Sequence, residues 1–512
     1  MGDHGGVTSA PRSLRALAGL VAGLAGLGVS HVAATVLGTG PTPVVAVAEA
    51  VIDVTPGALA ESLIQLVGTW DKPLLVFGVL LGLLALTAWA GVLTRRSRGR
   101  AVVLLVGLGL VGAVAVWTRP DAGGYDVVPV VAGTVTWLVV LTLLVDRLAS
   151  LHRDPARGAD RARRRFLVEA GVVAGAALAA GVVGQVAGAS RRSVVTARRL
   201  LRLPVRRGLV PAGAEAGASG VTPWRTQNAD FYRIDTALVV PAVDPAAWRL
   251  RVHGMVGREL TLTYRDLLDR ELTEDWVTLC CVSNEVGGDL VGNAWWSGVR
   301  VADVLAEAGV EPGADAVLQT SDDGWTCATP VEALTDDRNA LLAIAMNGEP
   351  LPVDHGFPVR MVVPGLYGYV SATKWLVDLE VTRFADVSAY WTGKGWAEQA
   401  PVKTQSRVDV PRAGAEVAAG SVRVGGVAWA QHTGIARVEY RLDGGAWTEA
   451  ELAAVPNVDT WVQWTATVDV DAGGHTLAVR ATDRSGATQT GVRSGVLPDG
   501  ATGWHSVDFR AE

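Results

Sequence analysis

The chain has 512 residues, a length that predicts several folding units rather than one domain. Its net charge is −6 and no basic face dominates the second half, which argues against nucleic-acid binding. The only cysteines are Cys280, Cys281 and Cys327, too few and too close together for a disulfide framework. The absence of a Cys-x-x-Cys pair or a His-rich tract also argues against zinc and iron–sulfur sites.

The first 190 residues are rich in Val, Leu, Ala and Gly and carry few charges. Five apolar stretches approach the roughly 20 residues needed to cross a bilayer. They are Leu14–Leu37, Pro73–Leu93, Ala101–Trp117, Val127–Val145 and Phe166–Val186. The stretch Val44–Leu66 contains Glu49 and Asp53, which make spanning costly, so we expect it to be interfacial or re-entrant. Residues 1–190 are therefore predicted to form a bundle of about five transmembrane helices in a lipid bilayer.

Basic and acidic residues alternate between the loops that join these stretches. Arginines precede the first stretch, follow the second and precede the fifth, so the positive-inside rule places the N-terminus in the cytoplasm. Five crossings then predict a multi-pass plasma-membrane protein whose second half is extracytoplasmic. The basic run Arg191–Arg207 is unfavourable on that side.

The run Arg163-Arg-Arg-Phe-Leu167 precedes the Gly/Ala-rich fifth stretch. Paired arginines before a moderately apolar helix are typical of a twin-arginine export signal. A plain cytoplasmic anchor of arginines is an equal alternative. His31 is the one histidine within a predicted span, so a haem held by two histidines is not expected and anchoring is the better interpretation.

The second half changes character twice. Residues 191–222 are interpreted as a linker. Residues 223–401 mix alternating runs such as Trp248–His253 with helical patterns such as Val301–Ala308, which predicts an α+β domain. Residues 402–512 contain only strand and turn patterns, including the hairpin turn Asp443-Gly-Gly445, and fit an immunoglobulin-like sandwich.

Several motifs in the α+β region are similar to those of one known family. The segment Leu279-Cys-Cys-Val-Ser-Asn-Glu-Val-Gly-Gly288, followed by Trp296-Ser-Gly-Val299, resembles the cofactor-binding stretch of the sulfite oxidase family. Further matches, in the family's order and spacing, are Met346–Pro352, His355–Arg360, Val363–Gly365 and Ser371–Trp375. The last 110 or so residues look like the family's dimerisation domain. The resemblance covers Pro223 to Phe509.

This resemblance implies a sulfite-oxidase-like catalytic domain that binds a molybdenum–molybdopterin cofactor, and a homodimer. Cys281 begins the family's Cys-x-x-Asn stretch and is the expected metal ligand, since a thiolate is a soft donor. Cys280 should face the other way and pack as a small hydrophobe. The expected cofactor-binding residues are Asn284, His355, Arg360, Ser371 and Lys374. The catalytic candidates, besides Cys281, are Tyr232, Arg233 and Asp322, although a solvated turn is an equal alternative for Asp322.

The sequence departs from the family where sulfite would bind. Glu285 replaces an arginine, Gly393 stands at the position of a tyrosine, and Asp235 at that of a histidine. An arginine expected near Trp461–Trp464 is absent. Because charge-assisted contacts contribute roughly 1.5–3 kcal/mol each, such a pocket should bind a dianion poorly.

We therefore predict a membrane-anchored molybdenum oxidoreductase that transfers oxygen atoms to or from a small molecule. One alternative is a reductase of methionine sulfoxide or another oxo-acceptor. An alternative from another class is a membrane-tethered binding module without cofactor. The sequence contains no haem, flavin or NAD motif, so the electron-transfer partner is unidentified.

Overall fold

The computed structural model describes residues 11–37, 42–56, 70–119, 122–153 and 189–512, with a few isolated positions in the gaps. The chain divides into two compact units, Met1–Arg192 and Ser193–Glu512. The fifth predicted span and the Arg163–Leu167 run lie almost entirely outside the described residues. Both therefore stay predictions.

Four helices of the first unit are long and apolar enough to cross a membrane. They are α1 (Arg12–Leu37), α3 (Asp71–Leu93), α4 (Arg98–Trp117) and α5 (Val128–Arg153). They coincide with the first four predicted spans and indicate membrane association. In the sequence between α1 and α3, α2 (Pro43–Val54) is too short to span. Most of the remainder of the stretch Val44–Leu66 lies outside the described residues, so its interfacial or re-entrant character stays a prediction. Glu49 of α2 forms an ion pair with Arg119 at 3.2 Å, which offsets the cost of partly burying the Glu49 carboxylate.

Helix α1 packs against α3 and α5 through small residues. A Cβ atom on Gly19 would collide with the carbonyl oxygen of Thr87 in α3. The indole of Trp137 in α5 lies beside α1 and donates a hydrogen bond to the Gly23 carbonyl at 3.1 Å. Close approach through small residues is the usual way in which helices associate in lipid.

Helix α6 (Ala189–Leu200) leads into the second unit, whose α+β part contains two sheets. The first has the order β2-β1-β10-β5-β6, with β1 parallel to β10. Its strands are β1 (Arg249–Gly254), β2 (Leu260–Thr263), β5 (Ala316–Ser321), β6 (Thr326–Pro330) and β10 (Leu376–Thr382). The second has β3-β4-β7 in order, with β8 and β9 both paired to β7. Its strands are β3 (Thr273–Cys280), β4 (Val291–Arg300), β7 (Leu341–Met346), β8 (Glu349–Pro350) and β9 (Arg360–Val362).

Short helices join these strands: α7 (Tyr264–Leu268), α8 (Val301–Ala308) and α9 (Val331–Thr335). All six residues of β7 are buried, so this strand forms the centre of the α+β core. The loops that leave β3 and β9 are therefore attached to rigid elements.

The C-terminal part consists of two packed sheets, β11-β13-β17-β16 and β12-β19-β18-β14-β15. Their strands are β11 (Gln405–Val410), β12 (Glu416–Val417), β13 (Gly420–Trp429), β14 (Ile435–Leu442), β15 (Thr448–Glu449), β16 (Glu451–Leu452), β17 (Val462–Val470), β18 (Gly473–Asp483) and β19 (His505–Ala511). Val424 and Trp464 of one sheet share a core with Val479 and Phe509 of the other. The β-rich C-terminal region is confirmed, while its immunoglobulin-like topology stays a prediction.

The segment interpreted as a linker is packed into the second unit. Ala214 is fully buried, the Ala216 amide donates to Gln463 Oε1 at 2.7 Å, and the Thr222 amide donates to Asp409 Oδ2 at 2.9 Å. Immediately after it, Trp224 and Trp461 each donate an indole hydrogen bond to the other's carbonyl, at 3.1 and 2.8 Å. The α+β and sandwich parts are therefore joined by buried contacts rather than by a free hinge.

Candidate functional site

The Cys281 thiol lies at the start of a tight loop between β3 and β4. The Cys281 amide donates to the Leu290 carbonyl at 2.9 Å, which closes the loop at its base. The Leu290 amide in turn donates to the Asn284 Oδ1 atom at 2.8 Å. Cys281 is buried, with 8% of its surface exposed, and its loop holds it in place.

The three cysteines have different surroundings. Cys280 ends β3 and is 2% exposed within the main hydrophobic core. Cys327 is fully buried on β6, where its sulfur lies 3.2 Å from the Thr373 hydroxyl. Both therefore pack as the sequence predicts.

Arg360 is a buried cation at the start of β9. It is 4% exposed, and its N–H groups donate to the backbone carbonyls of Met361, His355 and Ala372 at 3.3–3.4 Å. Its guanidinium lies 5.1 Å from the centre of the Trp296 ring. No carboxylate of the described residues pairs with it, and burial lowers its pKa to about 10.

Lys374 and Arg233 share one buried carboxylate. Asp235 accepts from Lys374 Nζ at 3.0 Å and from Arg233 Nε at 3.0 Å, and its side chain is 7% exposed. Arg233 also lies 3.9 Å from Asp354. Burial lowers the pKa of Lys374 to about 8, although Asp235 opposes this shift. Asp235 and the nearby Asp354 therefore largely compensate the charge of Arg233. The buried cations Arg360 and Lys374 still favour an additional anion.

Aromatic rings form the wall beside these charges. Phe231 stacks on Tyr232 with 5.1 Å between ring centres and contacts His355 edge-on at 5.8 Å. His355 Nε2 lies 3.2 Å from the Asn228 carbonyl. Burial, reinforced by the charges of Arg360 and Lys374, lowers the pKa of His355 to about 3. Burial, with Cys281 next in effect, raises the pKa of Tyr232 well above its usual value. Both rings are therefore neutral at physiological pH.

Three further predicted site residues have structural contacts of their own. The Asn284 Oδ1 atom is used in closing the Cys281 loop. The Ser371 hydroxyl is fully buried and lies 2.9 Å from the Tyr367 carbonyl, so its proton is used within its own loop. Asp322 lies in an exposed turn after β5, where its amide donates to the Trp375 carbonyl at 2.8 Å. Direct cofactor or substrate contacts of these three stay predictions.

Two residues of the sandwich, which sequence reasoning did not single out, support the Cys281 loop. Arg407 of β11 is buried and donates to the Gly288 carbonyl at 2.7 Å. The His505 ring of β19 packs so closely on Gly287, whose φ is +84°, that a Cβ atom there would collide with it. Sequence reasoning did not connect these two residues with the loop, because both lie more than 100 positions away from it.

Comparisons with known proteins identify the domain that contains Cys281, Arg360 and Lys374. Residues 237–391 match the model of the oxidoreductase molybdopterin binding domain. Mouse mitochondrial sulfite oxidase is 34% identical over 258 residues, which cover 42% of this chain and 47% of that protein. The uncharacterized oxidoreductase YuiH of Bacillus subtilis is 33% identical over 176 residues, 34% of this chain and 85% of that protein.

The chain belongs to the sulfite oxidase family. Its matched domain is the molybdopterin-binding oxidoreductase domain of that family, and its cofactor is the molybdenum–molybdopterin group. The sulfane dehydrogenase SoxCD of Paracoccus pantotrophus shares the fold, with a TM-score of 0.50 and 22% identity over 61% of this chain and 94% of that one. The chain spans about half the length of the mouse and human sulfite oxidases.

The residues present fit the cofactor of the sulfite oxidase family. A buried cation is costly unless an anion compensates it, and among the described residues Arg360 donates only to backbone carbonyls at long distances. A planar guanidinium and an ammonium suit phosphate oxygens. Arg360, Lys374 and His355 would hold the phosphate and pterin, and Cys281 would supply the soft thiolate ligand.

Proposed function

We propose that this protein is a membrane-anchored molybdenum oxidoreductase that transfers an oxygen atom to or from a small molecule. The observation that carries the proposal is the Cys281 thiol in a fixed loop, within a domain whose buried cations Arg360 and Lys374 are not fully compensated. When bound, the cofactor supplies a metal that exchanges an oxygen atom and two electrons with the substrate.

The chain's own residues hold the cofactor and receive the substrate. The backbone hydrogen bonds of the Cys281–Leu290 loop orient the thiolate. Tyr232 retains its phenol proton, because burial raises its pKa, and can donate it in a hydrogen bond to a substrate oxygen. Arg233, with 43% of its side chain exposed, is the cation best placed to meet a substrate from solvent.

A neutral oxo-acceptor such as a sulfoxide is the favoured substrate class. Asp235 pairs with Arg233 at 3.0 Å, and Glu285 is exposed in the Cys281 loop, so little positive charge remains for a dianion such as sulfite. Reduction of a sulfoxide takes up two electrons and two protons and yields a sulfide and water. The electrons come from a redox partner that stays unidentified.

Two further parts of the proposal concern assembly and location. The sandwich mediates a homodimer, as the family resemblance implies, and the catalytic domain lies on the extracytoplasmic side of the plasma membrane, as the loop charges indicate. Retention of Cys281, His355, Arg360 and Lys374 together argues against a binding module that has lost its cofactor.

Metal analysis of cysteine variants tests the proposal. Purified wild-type protein should contain stoichiometric molybdenum by mass spectrometry. Cys281→Ser should lose oxygen-atom transfer and the thiolate signature in the electron paramagnetic resonance spectrum, whereas Cys280→Ser, the matched control, should keep both. An inactive Cys280→Ser beside an active Cys281→Ser would show that the ligand assignment is wrong, and wild-type protein without molybdenum would refute the function.

A further inference from the structure

The segment from Ala189 to Leu209, here called the basic segment, has an unusual charge. It contains seven arginines and no Asp or Glu among 21 residues. It starts three residues after Val186, the end of the fifth predicted span. Three residues reach at most about 10 Å, so the basic segment begins close to the bilayer surface if that span crosses.

One face of the basic segment is attached to the catalytic domain. Val194 is 2% exposed and packs in a cluster with Phe231 and Trp296. Arg198 donates to the carbonyls of Pro350 and Leu351, both at 2.7 Å. These contacts hold the segment in a fixed orientation.

The rest of the segment presents cations and leucines to solvent. Arg199, Arg202 and Arg207 are exposed, and none of them pairs with a carboxylate in the part of the chain that the structure describes. Leu200 is 72% exposed and Leu209 is 84% exposed. Exposed arginines with interspersed large apolar side chains are typical of segments that lie in the interface of an anionic membrane.

We propose that the basic segment docks on anionic phospholipid headgroups, with Leu200 and Leu209 entering the boundary between headgroups and acyl chains. The arginines supply the attraction, and the adjoining apolar half of the chain keeps the segment near the bilayer. This docking also gives the run Arg191–Arg207 a function on a side of the membrane where basic residues are otherwise unfavourable. The inference is independent of the cofactor.

Quenching of a fluorophore by brominated lipid tests the docking directly. The full-length protein is placed in nanodiscs of brominated phosphatidylcholine, with or without phosphatidylglycerol, and bimane is attached to Leu209→Cys. The three native cysteines are buried, so labelling is selective. Val492→Cys, which replaces a side chain that is 72% exposed in the sandwich, is the matched control site.

The expected result is quenching at Leu209→Cys that increases with phosphatidylglycerol and is lost in Arg199→Gln/Arg202→Gln/Arg207→Gln. The control triple Arg251→Gln/Arg258→Gln/Arg265→Gln, at exposed arginines elsewhere, should keep it. Quenching that is equal in both lipids and insensitive to the arginines would overturn the proposal, since tethering alone explains it. A label at Leu209→Cys that is no more quenched than the label at Val492→Cys would also overturn the proposal. So would a label that an added acidic soluble protein shields and anionic lipid does not. Molybdenum content and turnover should not change, so this inference and the proposed function can fail separately.

Discussion

At the scale of single residues, the site contains ionisable groups whose charged forms are destabilised by burial. His355 is the clearest case, because burial and two neighbouring cations lower its pKa from 6.5 to about 3. The folded chain therefore resists protonating this ring, while the unfolded chain protonates it normally. Such groups cost stability and persist where binding requires them.

A pH dependence of stability follows for the cofactor-free protein. Between pH 6.5 and about 3 the unfolded state binds the extra proton, so the contribution of His355 is present above pH 6.5 and is lost as the pH falls. The slope from this group is at most about 1.4 kcal/mol per pH unit. Unfolding midpoints of the solubilised protein should fall less steeply with acid in His355→Gln than in wild type. His475→Gln, at a histidine whose pKa is raised by its hydrogen bond to Asp443, should leave the slope at about pH 5 unchanged, because this ring is protonated there in both the folded and the unfolded states.

Asp235 is expected to set the substrate preference. Replacing it by Asn frees Arg233, which should lower the KM for sulfite by roughly tenfold, since a charge-assisted contact contributes about 1.5–3 kcal/mol. Steady-state assays normalised to molybdenum content measure this. Asp354→Asn, which alters a carboxylate 3.9 Å from the same guanidinium, should have a smaller effect. A wild-type enzyme with fast turnover and micromolar affinity for sulfite would contradict the neutral-substrate interpretation.

At the scale of elements, the sandwich completes the catalytic domain. Arg407 of β11 donates to the Gly288 carbonyl, to Asp409 Oδ1 at 2.7 Å and to Thr222 Oγ1 at 2.8 Å. Its side chain is 9% exposed. The loop that carries Cys281 is thus held from the sandwich as well as by its own backbone.

Loss of this support should loosen the loop. Arg407→Met removes three hydrogen bonds and leaves Asp409 buried without its partner, at a cost of about 3–5 kcal/mol. In the cofactor-free variant we expect faster alkylation of Cys281 by iodoacetamide, measured by mass spectrometry of the modified peptide. Arg407→Met/Asp409→Asn should recover stability but still react faster. Alkylation as slow as in the exposed control Arg412→Met would mean that the loop does not depend on Arg407.

At the scale of the whole molecule, the two halves impose different requirements. A molybdopterin cofactor is inserted in the cytoplasm, as the family resemblance implies, so the catalytic domain must fold there. The loop charges nevertheless predict that this domain lies outside. Both requirements are met if the last span is exported with an already folded domain.

The run Arg163–Leu167 is the predicted signal for such export. Proteases added to intact spheroplasts should cleave the C-terminal domain in wild type, and Arg164→Lys/Arg165→Lys should reduce that cleavage. Lysine substitution keeps the charge, so an ordinary basic anchor would be unaffected. Cleavage that survives every paired substitution along the run would exclude the signal, and a domain protected in wild type would overturn the topology.

The sequence by itself determined the properties that depend on neighbouring residues. Hydropathy and length predicted the first four spans, because a helix must satisfy its backbone locally in lipid. The order of the motifs identified the family, and the Cys-x-x-Asn stretch, as the family resemblance implies, distinguished Cys281 from Cys280.

Only the tertiary structure decided which distant groups meet. Asp235 pairs with Lys374 across 139 positions, and Arg407 reaches Gly288 across 119. The supposed linker is packed because Ala216 donates to Gln463, 247 positions away. Ion pairs and caps of this kind depend on how sheets and loops pack, and no periodicity in the chain records that packing.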